Sequence, residues 1–76
     1  MVESLRMESI CNKVPQHRRK IGITQQGLAA NVGVSRQTII ALEKGNYVPS
    51  VLLAIKISKF FQLPLEELFE IKTLTR

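Results

Sequence analysis

Apolar side chains recur along this chain at the spacing of short helices, and small polar residues or glycines separate the apolar segments. No segment shows sustained alternation with a period of two, so the pattern predicts an all-α fold of five short helices and no sheet. The predicted helices cover residues 14–21, 25–31, 35–44, 50–62 and about 65–71. The predicted N-caps are Thr24, Ser35 and Ser50, and the predicted terminating glycines are Gly22, Gly33 and Gly45.

The 76 residues are too few to divide into several domains, so one modest core must serve the whole chain. The pattern is weak over residues 1–12, which are predicted to form a weakly ordered N-terminal arm. A second methionine leaves the start of translation open between Met1 and Met7. The folded domain is predicted over residues 13–71, followed by a C-terminal tail over 72–76.

Charge is unevenly distributed along the sequence. The chain has 11 Lys and Arg residues against 6 acidic residues, a formal net charge of +5. Six of the basic residues lie between Lys13 and Lys44, where Glu43 is the only acid, and the balance reverses after Gln62. This distribution favours a polyanionic partner that contacts the first two thirds of the chain.

The rarity of metal-binding and redox residues narrows the function classes. Cys11 is the only cysteine and His17 the only histidine, which excludes an internal disulfide and a metal cage of the zinc-finger type. No cofactor and no metal ion are predicted. Charges interrupt the segment from Val2 to Ile10, so it does not have the pattern of a signal peptide, and no apolar run approaches the length of a membrane span. A cytoplasmic protein is expected.

The segment from Gln25 to Leu42 has the features of two helices that cross at a wide angle around a tight turn. Such a pair needs a small residue at the point of closest approach, a glycine in the turn, and apolar residues that hold the second helix against the first. These needs are met in order by Ala29, Gly33 and the pair of Ile39 and Leu42.

The outward face of the third predicted helix is rich in hydrogen-bond donors. At about 100° per residue, the side opposite Ile39 and Leu42 carries Gln37, Ile40, Ala41 and Lys44, while Ser35 and Arg36 project from the N-terminal end. Arg can form two hydrogen bonds to guanine and Gln two to adenine, and Ala or Ile suits the thymine methyl group. This face therefore favours the major groove of DNA over a merely solvated surface.

Residues 14–70 closely resemble the lambda-repressor-like, Cro-type (Xre-like) helix-turn-helix family. The resemblance implies a compact five-helix domain and a sequence-specific DNA-binding transcriptional regulator, either a repressor or an activator. It rests on the joint occurrence of Ile23-Thr24-Gln25, Leu28-Ala29, Gly33-Val34-Ser35-Arg36-Gln37-Thr38-Ile39, Glu43-Lys44-Gly45, Pro49-Ser50 and Leu65-Glu66-Glu67-Leu68-Phe69.

The same resemblance implies roles for individual residues. A structural ion pair is expected between Arg18 and Glu43, which is otherwise an isolated acid in a basic stretch. Base edges would be contacted by Ser35, Arg36, Gln37, Ile40 and Ala41 of a recognition helix over residues 35–44. Backbone phosphates would be contacted by Thr24, Gln25, Thr38, Lys44 and Asn46.

Four residues depart from the family pattern. His17 occupies a position where the family usually has a core-facing Leu, and a partly buried packing role is favoured over a pH switch. Ile40 and Leu52 stand where polar residues are common; Ile40 is assigned a thymine contact and Leu52 an ordinary surface position. Pro64 replaces the usual capping Ser or Thr of the fifth helix.

A homodimer on an inverted-repeat site is predicted, because one recognition helix reads too few base pairs to single out its site in a genome. The expected dimer interface consists of Phe60, Leu63, Pro64, Leu65, Phe69 and Ile71. An antitoxin or coactivator-type adaptor with a protein partner is the alternative function. An RNA-binding module lacks the usual stacking aromatics, and an enzyme lacks a nameable pair of nucleophile and base, so neither is favoured.

Overall fold

A computed structural model describes residues 6–75 of the chain. Within these residues the backbone forms four α-helices, one turn of 3-10 helix and two β-strands. In chain order the elements are β1 (Arg6–Asn12), α1 (Val14–Lys20), α2 (Gln25–Val32), α3 (Arg36–Lys44), α4 (Val51–Phe61), the 3-10 turn (Leu65–Glu67) and β2 (Phe69–Thr75). None of the helices in residues 6–75 is long and apolar enough to cross a membrane.

The predicted N-caps of three helices are confirmed. The hydroxyl oxygen of Thr24 accepts a hydrogen bond from the Gly27 N–H at 3.0 Å, and Ser35 does the same for the Thr38 N–H at 3.2 Å. Ser50 caps α4 in the same way, accepting from the Leu53 N–H at 3.1 Å. Each of these hydroxyls satisfies one backbone donor that the helix itself leaves unpaired.

The prediction of an all-α, five-helix fold is wrong. Residues 6–12, expected to form a weakly ordered arm, are β1, and they pair antiparallel with β2, which extends into the predicted tail. The register places Ile10 opposite Ile71 and Asn12 opposite Phe69. Residues 1–5 and 76 lie outside the described residues.

The prediction of a fifth helix over residues 65–71 is also wrong. A single 3-10 turn replaces it, and the chain enters β2 at Phe69. The Leu68 carbonyl accepts a hydrogen bond from the Lys13 N–H at 2.8 Å, so the backbone after the turn is already engaged by the segment between β1 and α1. Apolar and charged residues alternate only from Phe69 to Lys72, which is too short to predict a strand, but the β-branched Ile71, Thr73 and Thr75 favour one.

One side chain joins the two-stranded sheet to the helices. The Asn12 side-chain amide donates to the Leu42 carbonyl at 2.9 Å, and its oxygen accepts from the Val14 N–H at 3.1 Å. β1 is therefore anchored to the end of α3 and to the start of α1.

The core is a single apolar cluster contributed by all four α-helices and by the residue before β2. Val34, Phe60, Phe61, Leu63 and Phe69 pack against it and are half-buried. His17 is half-buried with its ring centroid 6.2 Å from that of Phe61, which agrees with a packing role. The buried residues are Val14, Leu28, Ala29, Val32, Ile39, Leu42, Leu53, Ile57 and Leu68.

Candidate nucleic-acid interface

The turn between α2 and α3 fixes the position of the recognition helix. Gly33 adopts a left-handed backbone with φ of 75°, which a residue with a Cβ rarely adopts, and the Val34 N–H donates to the Ala29 carbonyl at 3.0 Å. Ile39 and Leu42 are fully buried on the inner side of α3. The outer side of α3 is therefore held facing away from the core.

The residues predicted to contact bases lie on this outer side and at its N-terminal end. Ser35, Arg36 and Gln37 are exposed, whereas Ile40 and Ala41 are half-buried. The Ser35 hydroxyl also lies 3.0 Å from the Thr38 hydroxyl, so both groups already take part in the helix start. Arg36 and Gln37 are the long exposed donors that remain at this end of the helix.

The residues predicted to contact phosphates lie at the start of α2, within α3 and just after α3. Thr24 is exposed at the start of α2, and Lys44 and Asn46 are exposed at the end of α3 and just after it. Within residues 6–75, neither Lys44 nor Arg36 forms a salt bridge, so both charges remain available to an anion. Thr38 is half-buried in the first turn of α3.

A largely buried ion pair between Arg18 and Glu43 joins α1 to α3. Arg18 Nε donates to Glu43 Oε2 at 2.8 Å, and Arg18 Nη2 donates to Glu43 Oε1 at 3.1 Å. The two side chains are only 11% and 6% exposed. The hydrogen bonds with Glu43 raise the pKa of Arg18 above its ordinary value, so the guanidinium remains charged.

Gln25 belongs to the same cluster, which the sequence did not indicate. Its side-chain nitrogen donates to Glu43 Oε1 at 3.1 Å. The carboxylate of Glu43 thus accepts hydrogen bonds from α1 and from the first residue of α2 while it stands near the end of α3. Gln25 retains its second N–H and its backbone N–H for any contact outside the protein.

The residues predicted to form the dimer interface differ in their exposure. Phe60, Leu63 and Phe69 are half-buried against the core. Pro64 and Leu65 are exposed in the 3-10 turn segment, and Ile71 is exposed on β2. Further exposed aliphatic residues lie in and before α4. They are Leu52, which was expected at the surface, and Val48, Val51 and Ile55, to which the sequence analysis gave no role.

No group of three or more His, Cys, Asp or Glu side chains that could hold a metal ion occurs in the described part of the chain. Separately, the candidate interface combines the exposed donors Arg36 and Gln37 with the exposed Lys44. These are features suited to contacts with a polyanion and with base edges.

A helix-turn-helix family profile matches residues 16–68, which include all four helices except the first two residues of α1. The chain belongs to the helix-turn-helix family. The match includes the α2–turn–α3 unit and every residue predicted to contact DNA.

Curated relatives extend this likeness at the level of sequence. The chain is 52% identical over 58 residues to YgzD, an uncharacterised HTH-type transcriptional regulator of Bacillus subtilis, covering 76% of this chain and 88% of that protein. It is 53% identical over 58 residues to an uncharacterised HTH-type transcriptional regulator of Methanocaldococcus jannaschii, with the same coverage of each chain. The transcriptional repressor RstR of a cryptic CTXphi phage of Vibrio cholerae is 32% identical over 57 residues, which are 75% of this chain and 51% of RstR.

A solved structure shares the fold. The crystal structure of a Bacteroides fragilis protein with a proposed DNA-binding function superposes with a TM-score of 0.72 at 20% identity. The match covers 80% of this chain and 98% of the other. At this identity the likeness extends to the fold alone.

Proposed function

We propose that this protein is a transcriptional regulator that binds double-stranded DNA in a sequence-specific manner. One observation carries the proposal: α3 is held by its buried side against α2 and presents Arg36 and Gln37, free and exposed, at its N-terminal end. The helix-turn-helix profile and relatives named as transcriptional regulators support it. The proposal places the protein in the cytoplasm and gives it no catalytic role.

In this proposal phosphate contacts position the protein and base contacts read the sequence. The recognition helix enters the major groove with its N-terminal end, where Arg36 is suited to guanine and Gln37 to adenine. Ser35, Ile40 and Ala41 add shorter contacts along the same side. Phosphates on either side of the groove are met by Thr24, Gln25, Thr38, Lys44 and Asn46.

The protein acts as a homodimer on an inverted repeat. A single recognition helix contacts only a few base pairs, while a genome offers about a million or more competing sites. Two copies related by a twofold axis would place their recognition helices about 34 Å apart, one turn of the double helix. The binding site on DNA then has two half-sites whose centres are also about 34 Å apart.

Selection of bound sequences from a random pool of duplex DNA tests the proposal. The wild-type protein should enrich a short motif repeated with dyad symmetry, with half-site centres about 10 base pairs apart. The matched control is Arg36→Ala/Gln37→Ala, which alters only exposed side chains and should enrich no such motif. Enrichment of no motif by the wild-type protein would overturn the proposed function, and a motif without symmetry would overturn the dimer.

A further inference from the structure

A groove runs between α2 and α4, beside the turn that leads into α3. Its wider part has a volume of about 520 Å³ and is lined by the last turn of α2 and by Lys56, Lys59 and Phe60 of α4. A narrower part of about 160 Å³ continues past Lys56 toward the start of α4. We use the name α2–α4 groove for the two parts together, since Val32, Gly33 and Lys56 line both.

The wide part of the groove is basic, and neither of its lysines is paired with an acid. Lys56 and Lys59 are exposed and form no salt bridge within residues 6–75. From Gly22 to Leu65 the only acid is Glu43, whose carboxylate is already paired with Arg18. The α2–α4 groove therefore presents two positive charges that no carboxylate of the described chain neutralises.

Lys56 places its charge at the boundary between the two parts of the groove. Its Nζ lies 3.9 Å from the position that a Cβ would take at Gly33, at the C-terminal end of α2. The negative end of the α2 dipole favours an ammonium group there. Lys59 follows three positions later on the same helix, a spacing that sets the two Cβ atoms about 5–6 Å apart. Two carboxylates separated by one residue in an extended peptide, about 6.6 Å apart, match this pair.

The narrow part of the groove is largely apolar. It is lined by Leu52, which is 65% exposed, and by Tyr47, Val34 and the buried Leu53. Among the described residues that line this part, Lys56 is the one with a charge. An apolar side chain bound here would remove exposed apolar area from water, whereas a phosphate group would gain nothing from these contacts.

We propose that the α2–α4 groove binds a short acidic segment of a partner protein. The segment places an apolar side chain in the narrow part and two carboxylates against Lys56 and Lys59 in the wide part. Because α4 has 11 residues and is about 16 Å long, an extended segment of about five residues spans the groove. The DNA backbone would use the lysines alone and leave the apolar part open. This contact goes beyond the proposed function, because it gives the regulator a second kind of partner.

The groove lies next to the proposed base-reading surface without including it. Val34 comes two positions before Arg36, and neither Arg36 nor Gln37 lines the groove. A segment bound in the groove would therefore leave these two side chains uncovered, and it would hold the partner protein beside the DNA.

Selection from a library of short random peptides tests the proposal. The whole wild-type chain should enrich peptides that combine an apolar side chain with two or more carboxylates within about five residues. When the most enriched peptide is added to isotopically labelled protein, NMR chemical-shift changes should be concentrated in the last turn of α2 and in α4. Enrichment of no such peptide, or shift changes centred elsewhere, overturns the proposal.

Charge reversal tests the contacts of the two lysines. Lys56→Glu/Lys59→Glu should bind the enriched peptide about tenfold or more weakly, because like charges then face each other. The control Lys13→Glu/Lys72→Glu makes the same change in net charge at exposed lysines outside the groove and should lose much less. The groove variant should recover binding to the same peptide with its acids replaced by lysine. Equal losses in both variants, or no recovery, overturn the proposal.

A second pair of variants tests the apolar contact. Leu52→Ser should weaken binding of the enriched peptide, whereas Val51→Ser should not, since Val51 is 76% exposed on the same helix but lies outside the groove. Circular dichroism confirms that each variant is folded. Equal effects of the two substitutions overturn the proposal.

The charge-reversal variants also separate a partner protein from other occupants of the groove. On duplex DNA, Lys56→Glu/Lys59→Glu should bind no more weakly than Lys13→Glu/Lys72→Glu. A larger loss, with the magnitude of the salt slope lowered by about 2, would make the groove lysines phosphate contacts and overturn the proposal. Self-association of the wild type that the groove variant abolishes would assign the groove to a second copy and overturn it as well. A protein that binds the peptides but enriches no DNA motif would overturn only the proposed function.

Discussion

Gln25 and Glu43 are joined by a hydrogen bond of 3.1 Å from the Gln25 side-chain nitrogen to Glu43 Oε1. The bond links the first residue of α2 to the last turn of α3, and the same carboxylate accepts two hydrogen bonds from Arg18 on α1. Three helices, including the two that carry the proposed DNA contacts, therefore share one acceptor.

Removing one member of the buried ion pair should destabilise the domain. Glu43→Ala leaves the Arg18 guanidinium charged and unpaired, as does Arg18→Ala for the carboxylate, and each is expected to cost about 3–5 kcal/mol in the free energy of unfolding. Urea denaturation measures this loss. Arg18→Met/Glu43→Met, which removes both charges, should lose less than either single variant. A single variant that unfolds at the wild-type midpoint would show that the pair contributes nothing.

Gln25→Ala should weaken binding to every DNA sequence by a similar factor. Its side chain is neutral, so the loss of a phosphate contact leaves the number of released counterions and the slope of log Kd against log salt unchanged. Fluorescence anisotropy titrations at several salt concentrations, on the selected site and on an unrelated duplex, measure both quantities. A loss confined to the selected site would make Gln25 a base contact instead.

Lys44→Ala, unlike Gln25→Ala, should change the salt dependence of DNA binding. Lys44 is exposed, is charged and forms no salt bridge among residues 6–75. If it neutralises one phosphate, its removal should lower the magnitude of the salt slope by about 1 and weaken specific and non-specific binding alike. The control is Lys72→Ala on β2, where no phosphate contact is proposed. Equal slopes for Lys44→Ala and the wild type would exclude the contact.

Arg36→Ala and Gln37→Ala should each cost about 1–3 kcal/mol in binding to the selected site and relax the preference at one base position. Both side chains are exposed, so the folded state should be unaffected. Gln16→Ala, an exposed change on α1, is the control. Binding to duplexes substituted at each position of the half-site identifies the base that each residue reads. A uniform loss on all duplexes would reassign the residue to a phosphate.

Gly27→Ala sets helix propensity against steric fit. Gly27 is the third residue of α2, and replacing a helical Gly by Ala gains up to about 1 kcal/mol. An added Cβ would, however, stand 2.8 Å from Ile23 Cγ1, and overpacking costs roughly 1–3 kcal/mol. We expect a net destabilisation of up to about 2 kcal/mol. In the Ile23→Ala background the same substitution should stabilise the domain. Thermal melts of the wild type, the two single variants and the double variant measure both effects.

The sequence predicted best those features that depend on neighbouring residues. The caps at Thr24, Ser35 and Ser50 involve a hydroxyl and an N–H three positions later, so the relevant chemistry is visible in four consecutive letters. The buried positions Ile39 and Leu42 follow from helical periodicity in the same way. The resemblance to a known family supplied the pairing of Arg18 with Glu43, which no local pattern contains.

The features that the sequence did not predict depend on residues far apart in the chain. Cys11 pairs with Glu70, 59 positions later, and neither strand has a pattern strong enough to identify it alone. The anchoring of Asn12 to the Leu42 carbonyl and the exposure of Val51 and Leu52 likewise depend on how the helices pack. The residue type alone does not determine exposure, because Leu52 is exposed and the adjacent Leu53 is buried.

The pairing of β1 with β2 bears on the order in which the molecule assembles. Adjacent helices can pack together after closing short loops. The two strands come from opposite ends of the described chain, so their pairing closes the longest loop in it. We therefore expect the helices to pack together first and the two strands to pair last. Pairing should start at Asn12 and Phe69, where the two-stranded sheet contacts the helices. The same reasoning makes the far end of the two-stranded sheet the place where backbone amides exchange with solvent soonest in the native protein.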